Sequence, residues 1–227
     1  MEINYFDKVY CICMEDRPAK RARLLGQLKL FYPTLEPTVF DAISTRHLKN
    51  HHIGCALSHR AVIEAAKKEG YRQILVLEED ALLHKNFKFL LDHASSELEP
   101  LPWNVFYLGA CIWETKPSKP NRVFKKVTGA PHLEIPTGCT CTHGIAYSEL
   151  IYDYLLEKWP DNIDDMKLWC KKHAAIDQWL MYHLQGGGAN RNQLGASNTL
   201  MCSPRACTQP FLTGKNKQDK PADFLNA

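Results

Sequence analysis

The sequence predicts an α/β fold, a single domain with a mostly parallel central sheet flanked by helices, and three observations carry that prediction. Ile74-Leu75-Val76-Leu77 is a continuous apolar run without alternation, the pattern of a strand covered on both faces. Short strand-like runs alternate with segments of helical periodicity. With 227 residues, 45% of them hydrophobic, the chain can bury one substantial core.

Taken in order, Val9 to Met14 is a short apolar run, and the loop Glu15-Asp16-Arg17-Pro18 leads into a helical stretch from Ala19 to Leu30 marked by Leu24, Leu25 and Leu28. Thr38 to Ala42 reads as a second strand after the turn signals Pro33 and Pro37. A helix from about Ile53 to Lys68 carries Cys55, Ser58, His59, Val62 and Ala66 on one stripe, and Gly70 is its stop. Ile74 to Leu77 should be a central strand. Phe87 to Leu98 follows as a helix, Val105 to Gly109 as a strand, and the Pro/Lys-rich stretch from Lys116 to Lys126 as an exposed connection. A segment from Gly138 to Ser148 leads into an apolar helix with Leu150, Ile151, Tyr154 and Leu155. Asp177 opens another, with Trp179, Leu180, Tyr182 and Leu184, which Gly186-Gly187-Gly188 ends. Leu200 to Thr208 holds a weak strand candidate. The domain is expected to span residues 1–210, with 211–227 a polar, mobile tail.

Composition narrows the function classes. A net charge of +3, from 28 basic and 25 acidic residues, makes no case for a dedicated nucleic-acid binder. The first eight residues carry Glu2 and Asp7 where a signal peptide would be basic and then apolar. No segment approaches the roughly 20 apolar residues of a spanning helix. The expectation is a soluble, cytoplasmic chain, with peripheral membrane contact not indicated. The nine cysteines are scattered without the paired C-x-x-C spacing of a structural zinc site, and they read as reduced thiols.

The chemistry concentrates where the apolar run ends. Glu78-Glu79-Asp80 puts three carboxylates just beyond the carboxyl end of a strand, the position at which open α/β sheets bind ligands. Side chains alternate in extended backbone, so Glu78 and Asp80 point the same way and Glu79 points elsewhere. Two converging carboxylates suit a hard cation, Mn²⁺ or Mg²⁺, bridging to a diphosphate; the bland alternative is a solvated turn capping the helix near Asn86.

Ile53-Gly54-Cys55-Ala56-Leu57-Ser58-His59, followed some twenty residues on by Leu77-Glu78-Glu79-Asp80-Ala81, resembles the paired motifs I-G-C-x-L-S-H and L-E-D-D-A of glycosyltransferase family 25. The likeness extends to the opening Val9-Tyr-Cys-Ile-Cys-Met with its trailing arginines, and weakly through Phe40-Asp41-Ala42, Leu108-Gly109, Thr142-His143 and Ala175-Ile176-Asp177. That family includes bacterial lipooligosaccharide galactosyltransferases and collagen galactosyltransferases. The resemblance implies a GT-A-type fold, a UDP-sugar donor and inverting transfer of a hexose, galactose or glucose, to a glycan, lipid-linked sugar or protein hydroxyl. It implies Glu78, Asp80 and His143 as metal ligands, Arg17, Arg21, Ser58 and His59 as donor-site residues, and Asp177 as general base, with Glu79 and Asp41 as alternative bases.

Each assignment has a plainer counterpart: solvated arginines, Ser58 and His59 as a buried pair bracing the acidic strand, a core His143, Asp177 as an N-cap worth roughly 1 kcal/mol, and a surface pair for His51-His52. Cys13 stands where the family usually has Asn, which weakens contact to the nucleoside. Ile112-Trp113 and Lys116 to Lys126 are candidate acceptor segments. Two rival classes remain. Nucleotidyl transfer fits poorly, because Glu-Asp-Arg-Pro replaces the glycine-rich loop that such enzymes open with. A non-catalytic module binding a nucleotide sugar or glycan is the other.

Overall fold

A computed structural model of the chain describes residue 3 and residues 5–112, 125–185, 198–209 and 223–225. Trp113, most of the Lys116 to Lys126 stretch, the triple glycine and most of the expected tail lie outside the described residues.

The first half is a strand-helix alternation. It runs β1 (Lys8–Cys13), α1 (Pro18–Phe31), β2 (Thr38–Asp41), a 3-10 turn (Arg46–Leu48), α2 (His51–Lys68), β3 (Gln73–Glu78), β4 (Leu82–Leu83), α3 (Phe87–Leu98) and β5 (Val105–Tyr107). The second half runs β6 (Cys111–Ile112), β7 (Lys125–Val127), β8 (Ala130–Ile135), β9 (Cys139–Thr140), β10 (Gly144–Ser148), α4 (Glu149–Lys158), α5 (Ile163–His173), α6 (Ile176–Leu184), β11 (Thr199–Cys202) and β12 (Cys207–Thr208).

The expected α/β class is present, with one large sheet flanked by helices. Among the described residues its order is β2-β1-β3-β10-β5-β11-β8-β7. Its ladder is mixed: β2, β1 and β3 run parallel, as do β5 and β11, whereas β10 lies antiparallel between β3 and β5. β3 is central, and its side chains split between two cores. Leu75 and Leu77 face a cluster with Leu24, Leu28, Phe87 and Leu91 from α1 and α3. Ile74 and Val76 face Ile53, Leu57, Ile63 and Trp179 from α2 and α6. Burial on both faces is the reason the run lacks alternation. Each such side chain contributes roughly 1.5–3 kcal/mol through the area it removes from water.

Local chemistry sets the helix ends. Pro18 sits at the start of α1, where its missing N–H costs no hydrogen bond. The Asn50 side chain accepts from His52 N and starts α2 two residues before the sequence expectation. Gly70 stops that helix at φ +72°, a left-handed conformation that glycine adopts without strain. A helix that the periodicity reading passed over, α5, has Asn162 as its cap, Asp164 and Asp165 in its first turn and Lys171 and Lys172 in its last.

The stretch Leu200 to Thr208 is two strands rather than one. β11 joins the main sheet and β12 pairs with β4 after the break at Ser203-Pro204. Asp223 to Leu225 dock on β4, with Leu225 N donating to the Leu83 carbonyl and Phe224 buried. No disulfide joins any of the nine cysteines.

Candidate functional site

The carboxyl ends of β1, β2 and β3 open into a pocket of about 260 Å³. Its walls are Ile12 and Met14 from β1 and its exit, Ala42 to Arg46 after β2, the first two turns of α2, and Glu78, Glu79 and Asp80. A larger cleft, about 940 Å³, lies at the opposite end of the sheet by Gln73, Trp103 and Ser148, and although Asp92, Glu99 and Glu149 line it, no metal-ligating cluster among the described residues falls there.

The loop after β2 lies directly against the backbone of α2. Gly54 N donates to Thr45 Oγ1 at 3.0 Å, and Ser58 Oγ accepts from Ile43 N at 2.9 Å while donating to the Gly54 carbonyl. A Cβ at Gly54 would overlap the Ile43 carbonyl, so glycine is required by this close approach. Ser58 is thus a fully buried brace for the pocket wall.

The three carboxylates divide by role. Backbone pairing continues just past Leu77, with Glu78 N donating to the His143 carbonyl and Glu79 N to the Ile12 carbonyl, but the strand ends at Glu78. Glu79 and Asp80 form a turn that Ala81 N closes on the Glu78 carbonyl, so the alternation expected through Asp80 stops at the strand end. Glu79 accepts from Met14 N and Arg17 Nη1, both at 2.8 Å, with Lys20 Nζ at 4.0 Å. Its carboxylate fastens the loop between β1 and α1. Glu78 Oε1 accepts from Thr142 Oγ1 at 2.5 Å, lies 3.2 Å from His59 Nε2, and is touched by the Cys55 thiol at 3.9 Å. Burial works to raise the Glu78 carboxyl, but the hydrogen bonds from His59 and Thr142, with the charges of His59 and His143, hold it below its ordinary value.

Asp80 behaves oppositely. Both its oxygens accept from Gln209 Nε2 at 3.0 Å. Burial and the neighbouring Glu78 charge raise its carboxyl to about 6, against the smaller opposing influence of Gln209 and Lys20. A carboxylate that ionises reluctantly beside a second one is a place where a cation would be favourable, so these residues fit a hard divalent ion.

The remaining expected residues are distributed as follows. Arg17 reaches the pocket while bound to Glu79, whereas Arg21 is exposed one turn on along α1 and is not in the pocket wall. His59 is fully buried, with Nδ1 3.0 Å from the Tyr147 hydroxyl, and braces β3 against α2. The His143 ring is buried against Gly109, at the other end of the Glu78 backbone pair, and does not join the ligand atoms converging on Glu78. Asp177 is in the first turn of α6 but is not its cap, which is Ala175. Its Oδ2 accepts from Cys141 N and its Oδ1 from Gln178 N. It stands outside the pocket wall, close enough for its charge to act on Cys55 and His52.

Of the alternative bases, Glu79 is engaged by Arg17 and Met14 N, and Asp41 is exposed at the end of β2. Cys13 does not stand in for a nucleoside contact. Its side chain belongs to the core between β3 and α1, and burial with the Glu79 charge pushes its thiol up to about 11.

Sequence reading missed Thr142, Gln209, Lys20 and Arg46. Thr142 sits beside the His143 that drew attention. Gln209 lies in a polar loop and Arg46 opens the 3-10 turn, neither with a pattern to mark it, and Arg46 lines the pocket while held by a two-pronged ion pair with Asp16.

Residues 34–129 match the model of glycosyltransferase family 25, described as an LPS biosynthesis protein. The chain is similar to the probable inactive glycosyltransferase 25 family member 3 of Bos taurus, at 30% identity over 153 residues that cover 56% of this chain and 25% of the bovine one. It is also similar to the inactive glycosyltransferase 25 family member 3 of Homo sapiens, at 29% over 129 residues, 46% of this chain and 22% of the human one. The chain therefore spans about a quarter of the length of these curated relatives. The matched segment runs through the loop after β2, all of α2 and the acidic end of β3, which build most of the pocket, and over these residues the chain is similar to glycosyltransferase family 25.

Proposed function

We propose that the pocket binds a nucleotide-sugar donor, UDP-linked, with a divalent metal, and that the chain transfers its hexose with inversion to a glycan, lipid-linked sugar or protein hydroxyl. The observation that carries this reading is the pair Glu78 and Asp80 just at the carboxyl end of a central strand, with the Asp80 carboxyl raised to about 6 inside a pocket formed at the carboxyl ends of β1, β2 and β3. Galactose or glucose is the favoured sugar, and Mn²⁺ or Mg²⁺ the favoured ion. When bound, the ion neutralises charge on the departing diphosphate.

The chain's own residues do the rest. Asp80 and Glu78 hold the ion. Lys20 and Arg17, already drawn to the acidic run, supply positive charge toward the phosphates. Ser58 and His59 keep the wall rigid without touching donor. Asp177, oriented by Cys141 N, accepts the proton of the acceptor hydroxyl. Cytoplasmic residence belongs to the same proposal. Among the described residues no helix is long and apolar enough to cross a membrane.

A second reading is a non-catalytic module that binds a nucleotide sugar or glycan. The relatives above are named inactive, and in this chain Glu78 Oε1 and both Asp80 oxygens are already engaged by protein donors. A screen of sugar nucleotides for Mn²⁺-dependent hydrolysis separates the two. Turnover of one UDP-hexose supports the transferase, whereas binding of UDP without turnover of any donor supports the module.

A further inference from the structure

Three unlike ligand types converge on the inner side of the pocket. Cys55 and His59 stand one helical turn apart on α2, and Glu78 meets them from the end of β3. Cys55 Sγ, His59 Nε2 and Glu78 Oε1 all lie within 4.8 Å of one another. A tetrahedral ion with bonds of roughly 2.0–2.3 Å needs its ligand atoms closer than this by an ångström or so, a shift within reach of side-chain rotation. We propose that Cys55, His59 and Glu78 form a site for a borderline-soft divalent cation of the Zn²⁺ class, which shares Glu78 with the hard-ion site proposed at Asp80.

The donor set is the first argument. Thiolate and imidazole with one carboxylate select Zn²⁺ or Co²⁺ over Mg²⁺ or Mn²⁺, which prefer oxygen alone. Charge is the second: one thiolate and one carboxylate neutralise a divalent ion, so the filled site buries no net charge.

Orientation is the third argument. His59 Nδ1 lies 3.0 Å from the Tyr147 hydroxyl, the outer partner that a metal-bound imidazole requires. In the metal-free chain Nε2–H donates to the Glu78 carboxylate, which can only accept. In the filled site Nε2 binds the ion, Nδ1–H donates to the Tyr147 hydroxyl, and the Cys55 thiol proton goes to solvent. The site is preformed, because the same groups pair without the ion, and among the described residues the Cys55 sulfur makes long contacts of 3.8 and 3.9 Å to Thr142 and Glu78. Access is the fourth argument, since all three residues line the pocket.

The test is a titration of the full chain with Co²⁺, without nucleotide, after chelator treatment. The expected result is one equivalent bound with an intense thiolate-to-cobalt charge-transfer band, bleached by one equivalent of Zn²⁺. Cys55→Ser, checked for native circular dichroism, should lose that band. Tyr147→Phe should keep it and weaken Zn²⁺ by about tenfold to a hundredfold. Absence of the band in the folded wild-type chain overturns the proposal, and so does an undiminished band in Cys55→Ser, which would assign it to another thiol. If Cys55→Ser does not fold, His59→Gln takes its place, with loss of stoichiometric Zn²⁺ expected and retention contradicting. None of these outcomes depends on donor binding.

Discussion

Truncating Glu79 to alanine should destabilise the chain by about 2–3 kcal/mol. The side chain is 8% exposed, and its two oxygens serve Met14 N and Arg17 Nη1, each at 2.8 Å. The bond from Met14 N to a buried charge is worth about 1.5–3 kcal/mol. Arg17 is 44% exposed, so solvent screening limits its ion pair to about 1 kcal/mol or less. For a chain of this size the loss lowers Tm by roughly 4–12 °C. Urea titration with a parallel thermal melt measures it. Glu79→Gln is the internal control: it keeps an acceptor for Met14 N, loses only the ion pair, and should cost about 1 kcal/mol or less. Stability of Glu79→Ala within about 0.5 kcal/mol of wild type would refute the fastening role. A Glu79→Gln variant of native stability that no longer responds to Mn²⁺ would also refute it, by making Glu79 a ligand.

Gly54→Ala should cost about 1–3 kcal/mol through overlap with the Ile43 carbonyl, although alanine is the better helix former by about 1 kcal/mol; denaturant titration showing a more stable variant would contradict the close approach. The Asp80 carboxyl, raised from an ordinary 3.8 to about 6, must ionise to hold a cation, so Mn²⁺ affinity should fall about tenfold per pH unit below about 6 and level off above it. Calorimetry giving constant affinity between about pH 5 and 7 would contradict that assignment. The folded chain binds the extra proton between about 4 and 6, so this group makes metal-free stability fall as pH rises through that window, which pH-dependent melts would detect. Asp177→Asn should reduce hexosyl transfer by about 10²–10⁴-fold while leaving the UDP-induced thermal shift unchanged; an unchanged transfer rate would move the base elsewhere.

Much of this arrangement was legible because it follows from one-dimensional pattern. Ile74 to Leu77 announces a doubly covered strand, and Glu79, bound to Met14 and Arg17, does part from Glu78 as alternation expects, whereas Asp80 lies beyond the strand in a turn that no alternation describes. The motif around Gly54 was recognisable, but its reason, a loop carbonyl resting on the helix backbone, is tertiary. The antiparallel insertion of β10 between β3 and β5 carries no local signal, because pairing direction depends on connections rather than composition. The same limit hid Gln209, which reaches Asp80 from 129 residues away. Two signals were present and passed over: Asn50 and Asn162 are cap residues that locate helix starts.

The central claim is that the Glu78–Asp80 cleft binds a nucleoside diphosphate through a divalent ion. Thermal melts of wild type and Asp80→Asn, with UDP and Mn²⁺ together and separately, test it most directly. UDP at a hundredfold excess over Kd stabilises by about 2.7 kcal/mol, which raises Tm by roughly 5–11 °C in a chain of this length. The account predicts that shift only with Mn²⁺ present, and its loss in an Asp80→Asn variant that stays folded. It is contradicted if no nucleoside diphosphate shifts the melt with any divalent ion, or if Asp80→Asn retains the full shift.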